Sequence, residues 1–436
     1  MSRNSRRKPN PPPRPVAMSA SRLGMLAAVF CLSALLAGTV AAWPRSQATL
    51  PRPAYTVIPD TILPDTRLEE TATAGARASQ QRCAECHSGV VESFATTPHS
   101  RTLRRAIDES VLGKFAGQSY TNPRNHSTFS FEVRDGRLWV SPSSYGRDLP
   151  VDWIFGSGTH ALTPLVMFPV EGLGTRPLEL GVSWYPGHGL DATLDRENPE
   201  AVGMTSLGAN HMATELAACF GCHSTRLPLD AHQQIRFDLL EPNLGCVRCH
   251  FEADRHEQEQ LDGGQGTIEN LARLSPLEAV NRCGECHRRA TEQDPAAIRE
   301  HDPSIDRFAS VGLVQSPCFL RQDEVKLEGN VPARMDCVTC HDPHRPASKD
   351  WRHYTATCLK CHDAAQGRSN DCPVAAREDN CLTCHMPKNQ VNPYLSFTDH
   401  WIRVRTDKTT DKTNGKISDK TPGNTSESSP AAARKP

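Results

Sequence analysis

The sequence predicts a mainly α-helical protein with little regular secondary structure, a small β insertion and one apolar helix near the N-terminus. Three observations support this prediction. The pentapeptide Cys-x-x-Cys-His occurs seven times, in segments whose few β-branched runs suit short helices. A stretch without the pentapeptide carries strand patterns. One predominantly apolar run, residues 23–43, has about the 20 residues that a membrane helix needs.

The composition predicts a poor side-chain core for a chain of 436 residues. Apolar residues make up 37% of the sequence and aromatic residues 6%, whereas soluble globular domains contain about 45–50% apolar residues. Collagen and coiled coils are excluded because the sequence has no glycine period and no sustained heptad. A single long apolar run excludes a multi-span membrane protein. The interior of the folded protein therefore needs an apolar component other than side chains.

The N-terminal segment has the pattern of a signal peptide or a signal anchor. Residues 1–22 carry six basic residues and no acidic one, and the apolar run of residues 23–43 follows directly. A basic flank stays in the cytoplasm, so we expect the rest of the chain on the periplasmic or extracytoplasmic face. The long leader favours an uncleaved anchor in the cytoplasmic membrane. Small residues at Thr39-Val40-Ala41 would instead permit cleavage and release into the periplasm.

Two low-complexity segments enclose the predicted functional domain. Residues 44–80 are rich in Pro, Ala and Thr and are typical of a tether. Residues 404–436 contain Lys, Asp, Ser and Thr with almost nothing to bury, which predicts a disordered tail. We therefore expect one domain over residues 81–403, with a β-containing insertion at about residues 113–190.

The strand patterns of this insertion lie between the first and second pentapeptides. Residues 129–133 and 138–140 flank the turn Asp135-Gly136, which predicts a β hairpin. Residues 178–184 predict a further strand. We expect this element to cover part of the helical body or to dock a partner.

Fourteen of the 17 cysteines belong to the seven pentapeptides. In chain order they are Cys83 and Cys86, Cys219 and Cys222, Cys246 and Cys249, Cys283 and Cys286, Cys337 and Cys340, Cys358 and Cys361, and Cys381 and Cys384, and the histidines that follow them are His87, His223, His250, His287, His341, His362 and His385. Two cysteines three residues apart share one helix face, so their thiols can bond both vinyl groups of one porphyrin while the histidine binds its iron. This is the attachment signature of c-type haem, and we predict seven covalently attached haems c.

Other uses of paired cysteines explain the pattern less well. Zinc has no need of a histidine at the same following position seven times, and a thioredoxin-type motif occurs once beside a βαβ unit. A disulfide framework requires no histidines. Seven porphyrins would also supply the missing apolar interior, so we expect folding to depend on haem attachment. Outside the motifs, Cys31 lies in the apolar run, while Cys318 and Cys372 could form a disulfide or remain two thiols.

The function depends on the sixth ligand of each iron. Iron with two histidines is saturated and transfers electrons, whereas iron with an open position can transform a substrate. Eleven further histidines exceed the seven that full bis-histidine ligation requires. Spacing favours five of them as distal ligands, namely His99, His160, His256, His344 and His400. Three stay open between ligand and surface, namely His126, His211 and His353, and three are expected at the surface, namely His188, His232 and His301.

His344 follows the proximal His341 by three residues. It cannot reach the far side of its own haem, so as a ligand it must serve a neighbouring one. Such a ligand would hold two haems close together.

The order of the motifs resembles that of the multihaem c-type cytochromes related to cytochrome c554 and hydroxylamine oxidoreductase. The matching segments are Thr97-Pro98-His99, the loop ending at His160, CFGCHST from Cys219, GCVRCH ending at His250, residues 316–319, CVTCHDPH at residues 337–344, CLTCHMP from Cys381 and Thr398-Asp399-His400. The resemblance implies a mainly helical body, stacked haem pairs and distal ligation by His99, His256, His344 and His400. Phe251-Glu252-Ala253-Asp254 departs from the Gly-Pro-Gly turn of relatives, and no helical repeats follow the last haem site.

Two functions follow from these patterns. The first is an extracytoplasmic, membrane-tethered seven-haem cytochrome that carries electrons between respiratory partners, such as a quinol-oxidising complex, a soluble cytochrome or a terminal reductase. The alternative is a multihaem oxidoreductase of the hydroxylamine or nitrite type, with one open haem acting on a small nitrogen or sulfur compound. The sequence has no Cys-x-x-Cys-Lys, and only Tyr394 follows the last site as a crosslinking tyrosine, so it favours the carrier. The acidic outer domain excludes a nucleic-acid partner.

Overall fold

The computed structural model describes the central part of the chain. The described residues are 67–170, 174–194, 203–266, 268–294, 298–299, 303–362, 372 and 380–405. The predicted leader, the apolar segment at residues 23–43 and nearly all of the predicted tail lie outside them. No helix within the described residues has both the length and the apolar character needed to span a membrane.

The prediction of a mainly α-helical fold is wrong. The described residues form 15 strands in five antiparallel sheets beside eleven α-helices, most of which are short. The β insertion is not small either, since eleven of these strands lie between residues 103 and 210. The first described helix begins at Arg67, beyond the apolar run, so the described residues contain no counterpart of the predicted N-terminal helix.

The helices carry most of the pentapeptides. Helices α1 to α11 lie at Arg67–Ala95, Glu109–Phe115, Ala213–His223, Ala253–Leu261, Pro276–His287, Pro303–Asp306, Ala309–Val314, Pro317–Leu320, Cys337–Cys340, Trp351–Leu359 and Cys381–His385. Local sequence explains where several begin. In α5, the Ser275 hydroxyl accepts from the Glu278 amide, the Glu278 carboxylate accepts from the Ser275 amide, and Pro276 occupies the first helical position. Asp336 and Asn380 cap α9 and α11 from the position before the first cysteine.

The strands form two main sheets and three two-stranded ribbons. Strands β1 to β15 lie at Leu103–Arg105, Ser119–Thr121, Thr128–Arg134, Arg137–Pro142, Leu149–Pro150, Trp153–Phe155, Thr163–Val170, Gly174–Leu180, Val182–Tyr185, Gly189–Ala192, Gly208–Asn210, Ser224–Arg226, Glu241–Pro242, Lys388–Asn392 and Leu395–Thr398. One main sheet has the order β1-β6-β7-β8-β11 and the other β2-β3-β4-β5. The predicted hairpin is confirmed as β3 and β4, joined at Asp135 and Gly136, which both have positive φ.

The largest hydrophobic cluster lies in this β module, which we define as the described residues between 103 and 210. Its 16 buried members all come from residues 106–207 and include Phe115, Phe129 and Ile154. A second cluster joins the module to α3 through Trp153 and Phe220. Among the described residues after position 276, the motif segments contribute a cluster of three buried residues. Side chains therefore form a core in the β module and little of one around the later motifs.

We expect Phe129→Ala to lower the free energy of unfolding by about 3–5 kcal/mol, because its ring is 0% exposed in the cluster of the β module. Chemical unfolding of the haem-loaded protein, followed by circular dichroism, measures the change. Val133→Ala, on the same strand but 40% exposed, is the matched control and should change it by only about 0.5 kcal/mol. Equal effects of the two substitutions would contradict this assignment of the core.

Candidate haem-binding sites

The seven pentapeptides define seven candidate sites, numbered here in chain order. Six begin on an α-helix, and the third lies on a 3-10 turn at Cys246–Arg248. The helical turn places the two cysteines of a motif on one face. The backbone then leaves the helical conformation at the histidine in α1, where His87 has φ −121° and ψ 38°, and after α9, where His341 is extended.

Four proximal histidines each face a second imidazole. The ring centres are 6.4 Å apart for His87 and His256, 6.1 Å for His287 and His99, 6.2 Å for His250 and His344, and 6.4 Å for His341 and His400. Metal–imidazole bonds of about 2 Å on opposite sides of one ion place two ring centres about 6 Å apart. The side chains at the first, third, fourth and fifth sites therefore fit an iron between two imidazoles.

Hydrogen bonds at Nδ1 leave the other ring nitrogen of several histidines available. Nδ1 lies near a backbone oxygen in five of them: His223 and Thr102 at 2.9 Å, His250 and Glu269 at 3.1 Å, His256 and Gly266 at 3.0 Å, His385 and Arg403 at 2.9 Å, and His400 and Thr398 at 2.9 Å. Metal-bound histidines characteristically donate their second ring N–H in this way.

Three of the remaining histidines show the opposite pattern. Nε2 is hydrogen-bonded to the Asp191 carboxylate in His188, to Glu179 in His211 and to the Cys340 carbonyl in His353. These contacts compete with a metal for the same nitrogen. His211 and His353, which the sequence left open, and His188, which it placed at the surface, thus differ in side-chain geometry from the histidines that pair.

Burial disfavours the charged form of four paired imidazoles, those of His99, His287, His341 and His400. It lowers the pKa of His99, His287 and His400 below the usual value. The pKa of His341 falls to about 4, chiefly through burial and then through repulsion by His400. A neutral imidazole is the form that can bind a metal.

Thiols of different motifs approach one another. The thiols of Cys83 and Cys246, of Cys222 and Cys286, and of Cys283 and Cys337 lie close enough to shift each other's pKa. The Cys286 contact is the main reason why the pKa of Cys222 falls to about 7, whereas burial and then Cys246 raise the pKa of Cys83 to about 11. The first site therefore adjoins the third, and the fourth adjoins both the second and the fifth.

The last two sites are also neighbours. Burial, followed by repulsion from Cys381, raises the pKa of Cys358 to about 12. Helices α10 and α11, which carry these cysteines, contact each other. The sixth site therefore adjoins the seventh.

Cys86, Cys361 and Cys384 are among the predicted haem-binding cysteines that take no part in these contacts. Within the described residues, Cys86, Cys361 and Cys384 form no hydrogen bond with a thiol of another motif. Cys86 and Cys384 are exposed, and Cys361 is half-buried. Each is the second cysteine of its motif, and the Cys384 sulfur lies 3.9 Å from the Thr383 hydroxyl beside it. The structure thus does not bring these three together with another site, and their role in attachment rests on the spacing of the motif.

Three proximal histidines face no second imidazole within the described residues: His223, His362 and His385. The ring of His223 instead meets the edge of Phe155 at 5.0 Å. The predicted ligand His160 lies 5.4 Å from Phe397 rather than opposite a proximal histidine. His126 has a positive φ of 58°, and His301 lies outside the described residues.

No disulfide joins Cys318 to Cys372. Within the described residues, no three His, Cys, Asp or Glu side chains are grouped so as to hold a metal ion by themselves. A structural zinc site needs four such ligands. The sequence did not identify the backbone acceptors of the histidine Nδ1 atoms, because carbonyl groups leave no residue-type signal.

Comparison with known proteins gives few relatives. No protein-family model matches the chain, and no curated protein matches it in sequence. A similar solved structure is described as the outer cell wall cytochrome OcwA. It shares 12% sequence identity and a TM-score of 0.45, over 74% of this chain and 78% of that chain. The resemblance to the cytochrome c554 and hydroxylamine oxidoreductase family stays a prediction.

We expect the double substitution Cys283→Ala/Cys286→Ala to remove one haem, because both thioether bonds of the fourth site would be lost. The haemochrome absorbance per protein should fall by about one seventh, and the intact mass should drop by one haem. Cys318→Ala is the control and should keep the full haem content, since Cys318 lies outside the pentapeptides. An unchanged haem content in the double variant would contradict attachment at this motif.

Proposed function

We propose that this chain is an extracytoplasmic seven-haem c-type cytochrome that transfers electrons between respiratory partner proteins. The main support is the set of four histidine pairs with ring centres 6.1–6.4 Å apart. When bound, haem iron takes up and releases single electrons, and two imidazoles leave it no open position for a substrate. The paired sites are thus suited to carrying electrons.

In this proposal, each paired site takes its second histidine from elsewhere in the chain. The pairs are His87 with His256 at the first site, His250 with His344 at the third, His287 with His99 at the fourth and His341 with His400 at the fifth. The backbone acceptors at Nδ1 of His250, His256 and His400 fix the ring orientation and the tautomer of these three histidines. Burial favours the neutral, metal-binding form of His99, His287, His341 and His400.

For the seventh site we propose His160 as the second ligand of His385. Its ring contacts Phe397 in the hairpin of β14 and β15, which begins three residues after His385. Burial, followed by repulsion from Lys388 in the same hairpin, lowers the pKa of His160, so its ring is also neutral. The hairpin thus connects His160 to the seventh motif.

The proximity of neighbouring sites supports electron transfer within one protein. Thiols of the first and third sites, of the second and fourth, and of the fourth and fifth lie close enough to shift each other's pKa. The haem edges attached to these thiols would then be adjacent. Electrons could pass between these sites without movement of the protein.

The sites without a facing histidine give the alternative function its support. Nδ1 of His223 is hydrogen-bonded to the Thr102 carbonyl. Within the described residues, its ring contacts Phe155 edge-on and faces no second imidazole. An iron there with an open sixth position could bind a small nitrogen or sulfur compound. The second candidate function is therefore an oxidoreductase that acts at the second site.

The location and partners rest on the sequence. The basic leader and the apolar run support export, which covalent haem attachment also requires, and a quinol-oxidising complex, a soluble cytochrome or a terminal reductase are the proposed partners. Attachment to the membrane stays a prediction, because residues 23–43 lie outside the described part of the chain.

Electron paramagnetic resonance of the oxidised protein tests the proposal. We expect low-spin ferric signals from the paired sites, because two imidazoles produce low-spin, saturated iron, and a carrier should show no high-spin signal that responds to cyanide or nitrite. A high-spin signal that one of these ligands abolishes would reject the carrier in favour of the oxidoreductase.

Single substitutions test the ligands. We expect His400→Met to change the spectrum of one haem only, because it replaces one axial nitrogen with a thioether. The control, His232→Gln, alters an exposed histidine and should leave every haem signal unchanged. If His400→Met leaves all haem signals unchanged, His400 is not a ligand of the fifth site.

A further inference from the structure

The third site differs from the other paired sites in what holds its second histidine. In His256 and His400, Nδ1 bonds to a neutral backbone carbonyl. In His344, Nδ1 lies 3.2 Å from Oδ1 of Asp342, a carboxylate. Of the second histidines with an Nδ1 contact in the described residues, His344 alone has a charged acceptor.

The local sequence fixes this contact. Asp342 precedes Pro343, which restricts its backbone to extended conformations. Oδ1 of Asp342 also accepts a hydrogen bond from the His344 amide at 2.9 Å, which closes an Asx turn. The hydroxyl of Ser93 in α1 donates to the His344 carbonyl at 2.8 Å. Hydrogen bonds at the amide and at the carbonyl of His344 therefore both stabilise the turn.

The ring of His344 is aligned with its partner. The planes of His344 and His250 differ by 3°, with centres 6.2 Å apart. The side chains of His344 and Asp342 are 42% and 49% exposed, and Arg345 Nε lies 3.4 Å from the other carboxylate oxygen. Water and Arg345 thus weaken the negative field of Asp342 but do not cancel it.

A carboxylate at Nδ1 changes what the other ring nitrogen can do. A charge-assisted hydrogen bond is about twice as strong as a neutral one, and it shifts electron density toward Nε2. The imidazole becomes more basic and a better donor to a metal. A stronger donor favours the ferric over the ferrous state, which lowers the reduction potential.

We propose that Asp342 is a positioning residue that lowers the reduction potential of the iron held by His250 and His344. This inference rests on the proposed function, since it takes His344 as a ligand of the third site. Within the described residues, no carboxylate is hydrogen-bonded to Nδ1 of the second histidine at the first, fourth or fifth site. Asp399, which follows Thr398 beside His400, is paired with Arg403 and Arg405. The charge of Asp342 therefore sets the third site apart in potential.

The test is a redox titration of the haem-loaded full chain with Asp342→Asn. Asparagine keeps an oxygen for the Asx turn but removes the charge. One of the seven components should shift to a more positive potential by about 59 mV, which is a tenfold change in the ratio of reduced to oxidised iron. The paramagnetic signal of the same haem should shift and remain low-spin.

Three further variants control the result. Asp342→Glu should restore most of the lower potential, because it restores the charge. Asp323→Asn removes an equal charge from another exposed aspartate and should move no single component. Arg345→Gln, at a side chain that is 74% exposed, should shift the same component in the negative direction, because it frees the carboxylate from a cation. This last variant tests the idea even where Asp342→Asn disturbs folding.

His344→Met separates the two levels of the proposal. If it changes one haem spectrum while neither Asp342→Asn nor Arg345→Gln moves that component, ligation by His344 stands and tuning by Asp342 is rejected. If His344→Met changes no haem, the proposed ligation of the third site fails, and the inference fails with it. A uniform shift of all seven components in Asp342→Asn would also reject tuning, since it indicates a general charge effect.

Discussion

Facing imidazoles impose the constraint on which the motif-bearing part of this molecule depends. Each of four proximal histidines meets a second one with ring centres 6.1–6.4 Å apart, and the partners come from distant parts of the sequence. Together, the four histidine pairs connect the segments of the first, third, fourth, fifth and seventh motifs. Because the described residues of the later motifs share only a small cluster of buried side chains, the proposed haems between these pairs would take the place of a conventional core.

The β module contributes stability and also orients one site. Trp153 of β6 contacts Phe220 in α3 with ring centres 5.5 Å apart, which holds the helix of the second motif against the sheet. The carbonyl of Thr102, directly before β1, lies 2.9 Å from Nδ1 of His223. The sheet and its hydrophobic core thus position His223. This is one of the proximal histidines that face no second imidazole within the described residues.

The sequence predicts the motifs and four of the histidines that the structure pairs, but it does not predict the fold class. Cysteine spacing predicts attachment sites without any knowledge of the fold. Of the five predicted distal ligands, His99, His256, His344 and His400 face a proximal histidine, whereas His160 lies beside Phe397. Most strands were not predicted because many have only two to four residues, which is too few to show an alternation of apolar and polar residues. The long strands β7 and β8 contain Pro164, Pro169 and Pro177, and proline normally argues against a paired strand. Pairings set by tertiary contacts cannot be read from local pattern.

In the proposed ligation, several irons bind one histidine of a motif and a second histidine from a later part of the chain. This order affects how the protein matures. A chain exported from its N-terminus presents the first motif long before His256, the third before His344 and the fifth before His400. In the proposed ligation, each of these three irons stays one nitrogen short until a later segment has crossed the membrane, whereas the fourth finds His99 already present. Maturation would then be completed by residues near position 400. The last described segment to be exported would supply the second ligand of the fifth site, whose cysteines and first histidine are exported earlier.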